Sequence, residues 1–333
     1  MIVHILLFIV GLILLIKGGD WFVDGAVGVA KKFNVPDLLI GATVVSIGTT
    51  LPEVMVSTTS AFQGHGAMAY GNAIGSIICN TALICAITIA IKPGKVERKS
   101  LIVPVCFFFT AAIIYAGVAY VSGDFTRPLG FILLAMFVAY MIVLISQAMK
   151  SSKKGATEAP ASEDENKEEK PKAFGLIIVM LVAGAALIAV GARLLVNHGT
   201  AIAEGFGVPE TVIALTFVAL GTSLPELVTA ITSLIKGHGS LSLGNICGAN
   251  LFNLVLVSGM SIAVGPFKFK EPEFATMMIG GKSYFSSLVV DTPVMFIVMA
   301  LLTIPTIIKG KLSRWQGILL LAIYAAFCIF QFI

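Results

Sequence analysis

Long apolar runs separated by short polar breaks fill nearly the whole chain. Each run reaches about 20 residues, enough for a helix rising 1.5 Å per residue to cross a hydrocarbon core about 30 Å thick. The pattern predicts ten membrane-spanning helices. Five lie at 2–30, 37–63, 68–91, 101–121 and 128–149, and five at 174–203, 210–236, 241–264, 287–308 and 314–332. Between the halves, 150–172 is rich in Lys, Glu, Ser and Pro with almost no apolar residue, which predicts a disordered, water-exposed linker. The fold class is therefore an all-α polytopic membrane protein, with units 1–149 and 173–333 joined by 150–172.

The polar residues that interrupt this pattern repeat. Gly48-Thr49-Thr50-Leu51-Pro52-Glu53 recurs as Gly221-Thr222-Ser223-Leu224-Pro225-Glu226, 173 positions later. At the same offset, Gly71-Asn72-Ala73-Ile74-Gly75-Ser76 and Asn80 recur as Gly244-Asn245-Ile246-Cys247-Gly248-Ala249 and Asn253. Val35-Pro36 and Val208-Pro209 keep that register too, so the chain is an internal duplication. Five spans per half is an odd number, so the second copy enters the membrane with the opposite sense. Such inverted-topology repeats are characteristic of secondary transporters, whose substrate sites lie near the midplane between repeats. Glu53 and Glu226 are each the seventeenth residue of their spans, about 25 Å along helices about 40 Å long. Two oppositely running helices can bring them together at mid-depth.

Composition agrees with the pattern: 57% of the 333 residues are hydrophobic and only 12% charged. Met1-Ile2-Val3-His4 lacks a basic leader region, so the first apolar run is expected to be a resident helix and not a signal peptide. Sixteen Lys and Arg fall on one face of the predicted topology and four on the other, which places the linker in the cytoplasm of a cell membrane and both termini outside. The charge of +4 thus reports orientation, and no nucleic-acid partner is implied. Five cysteines without Cys-x-x-Cys spacing suit packing better than disulfides. No nucleophile–base pair or His-rich metal motif appears in the spans, which argues against an enzyme or a cofactor.

A charged side chain at the bilayer centre costs at least about 2.5–3.5 kcal/mol and needs a partner or a water-filled cavity. A cation held between Glu53 and Glu226 would supply the partner. Pro52 and Pro225, with Gly48 and Gly221, should break each helix and free the carbonyls of Ser46 and Ala219. Thr49, Thr50, Thr222, Ser223 and Ser76 add hydroxyls, and Asn80 and Asn253 add amide oxygens. Such all-oxygen ligands suit Ca²⁺ or Na⁺. Gly71/Gly75 and Gly244/Gly248 are small-x-x-x-small pairs, expected to press their helices against the Glu53 and Glu226 helices. Asp20, Asp24 and Asp291 are expected near span ends, solvated or interfacial.

The doubled G-T-[TS]-L-P-E and G-N-x-x-G-[SA]-x-x-x-N motifs resemble the α-repeats of the cation/Ca²⁺ exchanger superfamily, and within it the prokaryotic sodium/calcium exchangers. The resemblance implies a ten-helix antiporter with alternating access, in which Na⁺ entry drives Ca²⁺ out. On that likeness Glu53 and Glu226 bind Ca²⁺, and the Ser46 and Ala219 carbonyls with Thr49 and Thr222 complete the cation ligands. Thr50, Ser223 and Ser76 match sodium-site hydroxyls, and Asn80 and Asn253 match the polar pair closing the centre. The first and sixth helices would slide as a unit across the rest. Ala249 stands where the family usually has Ser, Ile77 where it usually has Asn, and Asn253 where several members carry Asp. A Ca²⁺/H⁺ antiporter and, from another class, a cation channel are the alternatives.

Overall fold

The computed structural model describes residues 1–32, 46–96, 98–153, 174–227, 230, 239–270 and 273–332. The chain is a helical membrane protein. Among the described residues, eight helices are long and apolar enough to cross a membrane, and each falls on a predicted span. The other two predicted spans, 37–63 and 210–236, carry the glutamates and are described only in part, as short pieces. Residues 33–45, 154–173 and 231–238 lie outside the described set, and with them most of the expected linker.

The first half contains α1 (Ile2–Lys32), α2 (Ser46–Thr49), α3 (Leu51–Phe62) and α4 (Gly66–Cys79). A π-helical turn at Asn80–Cys85 follows, then α5 (Ala86–Ile91), α6 (Arg98–Val121), strand β1 (Asp124–Phe125) and α7 (Arg127–Lys153). The second half contains α8 (Phe174–Phe206), α9 (Glu210–Ile213), a π-turn at Ala214–Val218, α10 (Ala219–Thr222) and α11 (Gly239–Phe252). A π-turn at Asn253–Val257 leads to α12 (Ser258–Val264), strands β2 (Phe267–Lys268), β3 (Thr276–Ile279) and β4 (Lys282–Phe285), and a π-turn at Ser287–Asp291. The chain closes with α13 (Thr292–Lys309) and α14 (Arg314–Gln331). Several boundaries keep the sequence offset: α2 matches α10, α4 matches α11, and both Asn80 and Asn253 open a π-turn.

Without a hydrophobic driving force in lipid, helices associate through close backbone packing at small residues. Here α1 and α8 pack antiparallel along their length. A Cβ on Gly18 would sit 2.8 Å from Ile188 N, and one on Gly25 2.7 Å from Leu181 N. The contact is also reciprocal. Gly11 lies against the Gly191 carbonyl, and their repeat equivalents Gly184 and Gly18 meet in the same way. A second reciprocal pair joins the halves: Gly130 of α7 abuts Gly259 and Ala263 on α12, while Gly317 of α14 abuts Ala86 and Ala90 on α5.

The core surrounds α4, every residue of which is buried. One expectation is corrected there. Gly71 and Gly75 do not face the Glu53 helix; they receive Ala214, Leu215 and Ala219 of the opposite half, with the Leu215 carbonyl 2.7 Å from a Cβ on Gly75. Among the described residues, nothing lies within 4 Å of such a Cβ on Gly248, the equivalent of Gly75. At one end of the molecule β1 pairs with β2, and Tyr70, Tyr115, Phe125, Phe267, Phe269 and Phe274 stack beneath them. The β3–β4 hairpin falls where the pattern predicted only a loop. Gly280 and Gly281, with φ of 57° and 80°, supply the positive φ that a two-residue hairpin turn requires.

Candidate functional site

The two predicted breaks form at the expected places. The α2 turn ends at Thr49, and α3 begins behind Thr50 with Pro52 in its first turn, where the missing N–H costs nothing. In the second half α10 ends at Thr222, and Ser223 leaves the helical conformation at φ −86°, ψ 10°. Glu53 therefore sits in the first turn after one break, and Glu226 in 224–227 after the other.

The breaks meet through α4. Ser223 Oγ donates to Glu53 Oε1 at 3.3 Å, tying the second break to the first carboxylate. Thr222 Oγ1 donates to Asn72 Oδ1 at 3.1 Å, while Asn72 Nδ2 donates to Ser57 Oγ at 2.9 Å and to the Glu53 carbonyl at 3.3 Å. Asn72 thus clamps both halves. The repeated motif contains Asn72 but gives it no role, because nothing along the chain shows that its helix meets the other half.

Glu53 is fully buried and Glu226 nearly so, at 0% and 8% exposure, and Glu53 lies within electrostatic reach of Glu226. Among the described residues, eleven buried side-chain N or O atoms lack a hydrogen-bond partner. Six of these belong to predicted site residues: Glu53 Oε2, Glu226 Oε2, Ser76 Oγ, Asn253 Oδ1 and both amide atoms of Asn80. Buried polar atoms are normally paired, so these open atoms mark residues whose bonding an external group can complete. Two carboxylates with neutral hydroxyl and amide oxygens make a hard donor set. Among the described residues no three His, Cys, Asp or Glu cluster as a resident metal centre would require.

The remaining predicted residues are placed less completely. Thr50 is buried, whereas the side chains of Ser46 and Thr49 lie outside the described set. The Ala219 carbonyl, expected to be free, accepts the Ser223 N–H at 3.1 Å and the Thr222 hydroxyl at 3.3 Å. Ser223 keeps enough helical curvature to close that bond. Asp20 and Asp24 are exposed, but Asp291, expected at an interface, is buried at 1% exposure.

Comparison with known proteins extends this picture. The family model described as sodium/calcium exchanger protein matches residues 3–146 and 176–333. The sodium/calcium exchanger MaX1 of Methanosarcina acetivorans is 31% identical, with 99% of each chain covered. The inner membrane protein YrbG of Escherichia coli is 35% identical over 78% of this chain and 79% of its own. A solved structure of the sodium-calcium exchanger NCX_Mj, soaked with Na⁺ and Sr²⁺, aligns at 32% identity with a TM-score of 0.60, covering 98% of this chain and 97% of that one. A match over both halves, with the broken glutamate helices meeting at their interface, leads to one conclusion: the chain belongs to the sodium/calcium exchanger protein family.

Proposed function

We propose that this membrane protein is an antiporter that exchanges Na⁺ for Ca²⁺ at a site centred on Glu53 and Glu226. The observation that carries the reading is the set of unpartnered polar atoms on Glu53, Glu226, Ser76 and the two π-turn asparagines, with Ser223 tying the second break to the Glu53 carboxylate. One divalent cation neutralises two carboxylates, and sodium ions competing for the same oxygens bind in its place. Ligands that share donors exclude each other by coupling free energy. Alternate occupancy, together with access from one side at a time, converts a Na⁺ gradient into Ca²⁺ movement.

In this reading Glu53, Glu226, Thr49, Thr222 and the carbonyls of Ser46 and Ala219 hold Ca²⁺. Thr50, Ser223 and Ser76 serve sodium, and Asn80 and Asn253 close the centre. The chain has ten membrane helices in two inverted repeats, 1–149 and 173–333, joined by a cytoplasmic linker at 150–172. The antiparallel α1–α8 contact and the reciprocal glycine pairs support the inversion. The orientation, with both termini outside the cell membrane and Ca²⁺ extruded, rests on the distribution of Lys and Arg. The Lys95–Lys311 bridge, Arg98 on the Ile308 carbonyl and Arg314 on the Ile91 carbonyl gather basic residues at one end, which supports that assignment. Lipid is the surrounding partner, and the transported ions take the place of a cofactor.

The test is uptake of radiolabelled Ca²⁺ by proteoliposomes loaded with Na⁺ and diluted into Na⁺-free buffer, beside K⁺-loaded and pH-jump vesicles. Uptake driven by the Na⁺ gradient alone is expected. Uptake driven only by the pH jump would transfer sodium's role to the proton, and flux without any counter-ion would make the protein a channel.

A further inference from the structure

We propose that Asp291, Ser287, Thr292 and Tyr70 form a second cation site, for a single sodium-sized monovalent ion, at the contact between α4 and α13 and apart from the central glutamates. Asp291 lies in the apolar span Ser287–Lys309 and is buried at 1% exposure. Its Oδ1 accepts a hydrogen bond from Gln331 Nε2 of α14 at 2.8 Å, and its Oδ2 has no partner among the described residues. Among the described residues, the ion pairs join Lys17 to Asp20, His65 to Glu210, Lys268 to Asp124 and Lys270 to Glu273, and none reaches Asp291. A carboxylate in the interior of a membrane protein calls for a compensating charge.

The local fold assembles the other donors. Residues 287–291 form a π-turn, which closes with the Thr292 N–H on the Ser287 carbonyl and brings Ser287, Asp291 and Thr292 onto one face. Single π-turns recur at functional sites because they redirect side chains within a helix. The Ser287 hydroxyl lies against the Asp291 carboxyl. Across the contact, Tyr70 OH of α4 sits 3.4 Å from Ser287 O and 3.3 Å from Thr292 Oγ1. All four residues are buried, and Tyr115, Phe269 and Phe274 pack around the Tyr70 ring, which keeps the cluster dry.

These spacings are long for O–H···O hydrogen bonds, whose usual length is about 2.7–2.8 Å. They match the separation of neighbouring ligands around a hard cation: oxygens at about 2.3–2.6 Å in octahedral geometry stand about 3.3–3.7 Å apart. The donors are carboxylate, hydroxyl, phenol and carbonyl oxygens, with no sulfur or imidazole, which excludes soft metals. Charge then sets the valence. One carboxylate among neutral oxygens balances one positive charge, so the site takes Na⁺ in preference to Ca²⁺.

The test uses the full-length protein in detergent with the centre disabled as Glu53→Gln/Glu226→Gln. Thermal unfolding is followed in NaCl against equal choline chloride, because a ligand that binds only the folded state raises its midpoint. A sodium-specific rise of several degrees is expected in this double variant, with loss when Asp291→Asn is added and a reduced rise with Tyr70→Phe. No sodium-specific rise in the double variant, or a rise that survives both changes, overturns the site. Should the Asp291→Asn protein not fold, infrared spectroscopy decides on the Glu53→Gln/Glu226→Gln and Tyr70→Phe proteins. A protonated-carboxyl C=O stretch that persists at saturating Na⁺ and is shifted by Tyr70→Phe would show a proton where the cation was proposed. Its absence at saturating Na⁺, with appearance on Na⁺ removal, supports the site. Calcium-specific stabilisation that persists in the double variant would unseat the central assignment while leaving Asp291 untouched.

Discussion

Glu53 and Glu226 occupy equivalent places in two copies of one motif, yet their surroundings differ. Glu53 has no exposure and receives the Ser223 hydroxyl from the opposite half, while Asn72 of α4 holds its backbone carbonyl. Glu226 keeps 8% exposure. The glycines flanking the site differ among the described residues: Gly75 is pressed against the Leu215 carbonyl, whereas no described residue lies within 4 Å of a Cβ on its equivalent Gly248. The two carboxylates are thus unequally enclosed. A transporter built from two like halves needs such inequality, since a site open equally to both faces would leak.

The comparison can be broken most forcefully at the carboxylates. Glu53→Gln and Glu226→Gln should each lower Na⁺-driven Ca²⁺ uptake by more than about 100-fold, beyond what is typical of residues that only support a ligand. Full flux in either variant would end the equivalence and the assignment of that residue.

The glycines offer a contrast in stability. Gly75→Ala places a Cβ 2.7 Å from the Leu215 carbonyl and should destabilise by about 1–3 kcal/mol, as overpacking does. Gly248→Ala meets nothing within 4 Å among the described residues and should be neutral, or stabilise by up to about 1 kcal/mol through helix propensity. Thermal unfolding of the two proteins side by side checks the difference, and equal effects would show that the two halves are packed alike.

Ser223→Ala removes the hydroxyl that Glu53 accepts. A hydrogen bond to a charged group is worth about 1.5–3 kcal/mol, so half-maximal Ca²⁺ should rise by about tenfold or more. An unchanged concentration dependence would mean that the cross-half bond does not support ion binding. The smallest effect belongs to the periphery. His65 Nδ1 meets Glu210 Oε1 at 3.0 Å with the two side chains 32% and 13% exposed, so His65→Ala should cost at most about 1 kcal/mol and leave uptake within about fivefold of the parent. A larger loss would move that pair from the rim into the transport cycle.

Much of this architecture was legible along the chain because a membrane-spanning helix must be both apolar and long. Eight predicted spans agree with eight helices on that account alone. The breaks at Thr49–Thr50 and Thr222–Ser223 followed from glycine and proline, whose backbone effects are local. The β3–β4 hairpin was missed because its strands carry little periodicity, although Gly280-Gly281 announced the turn. Asp291 lies near a span end as expected but is not solvated: counting from a span end gives depth, and only the packing of α13 against α4 and α14 decides burial.

What the sequence by itself determined is eight of the spans and the pair of glutamates at matching positions of a repeated motif, since these depend on local composition and on register along one chain. Only the tertiary structure decided that Asn72 clamps both halves, that Gly71 and Gly75 serve the opposite half, and that Ser223 reaches Glu53. Those are contacts between segments about 150 residues apart, with Thr222 on Asn72 and Ser223 on Glu53 as the instances. Their geometry depends on how close two backbones can approach, which is settled where helices pack and is not encoded in the periodicity of either one.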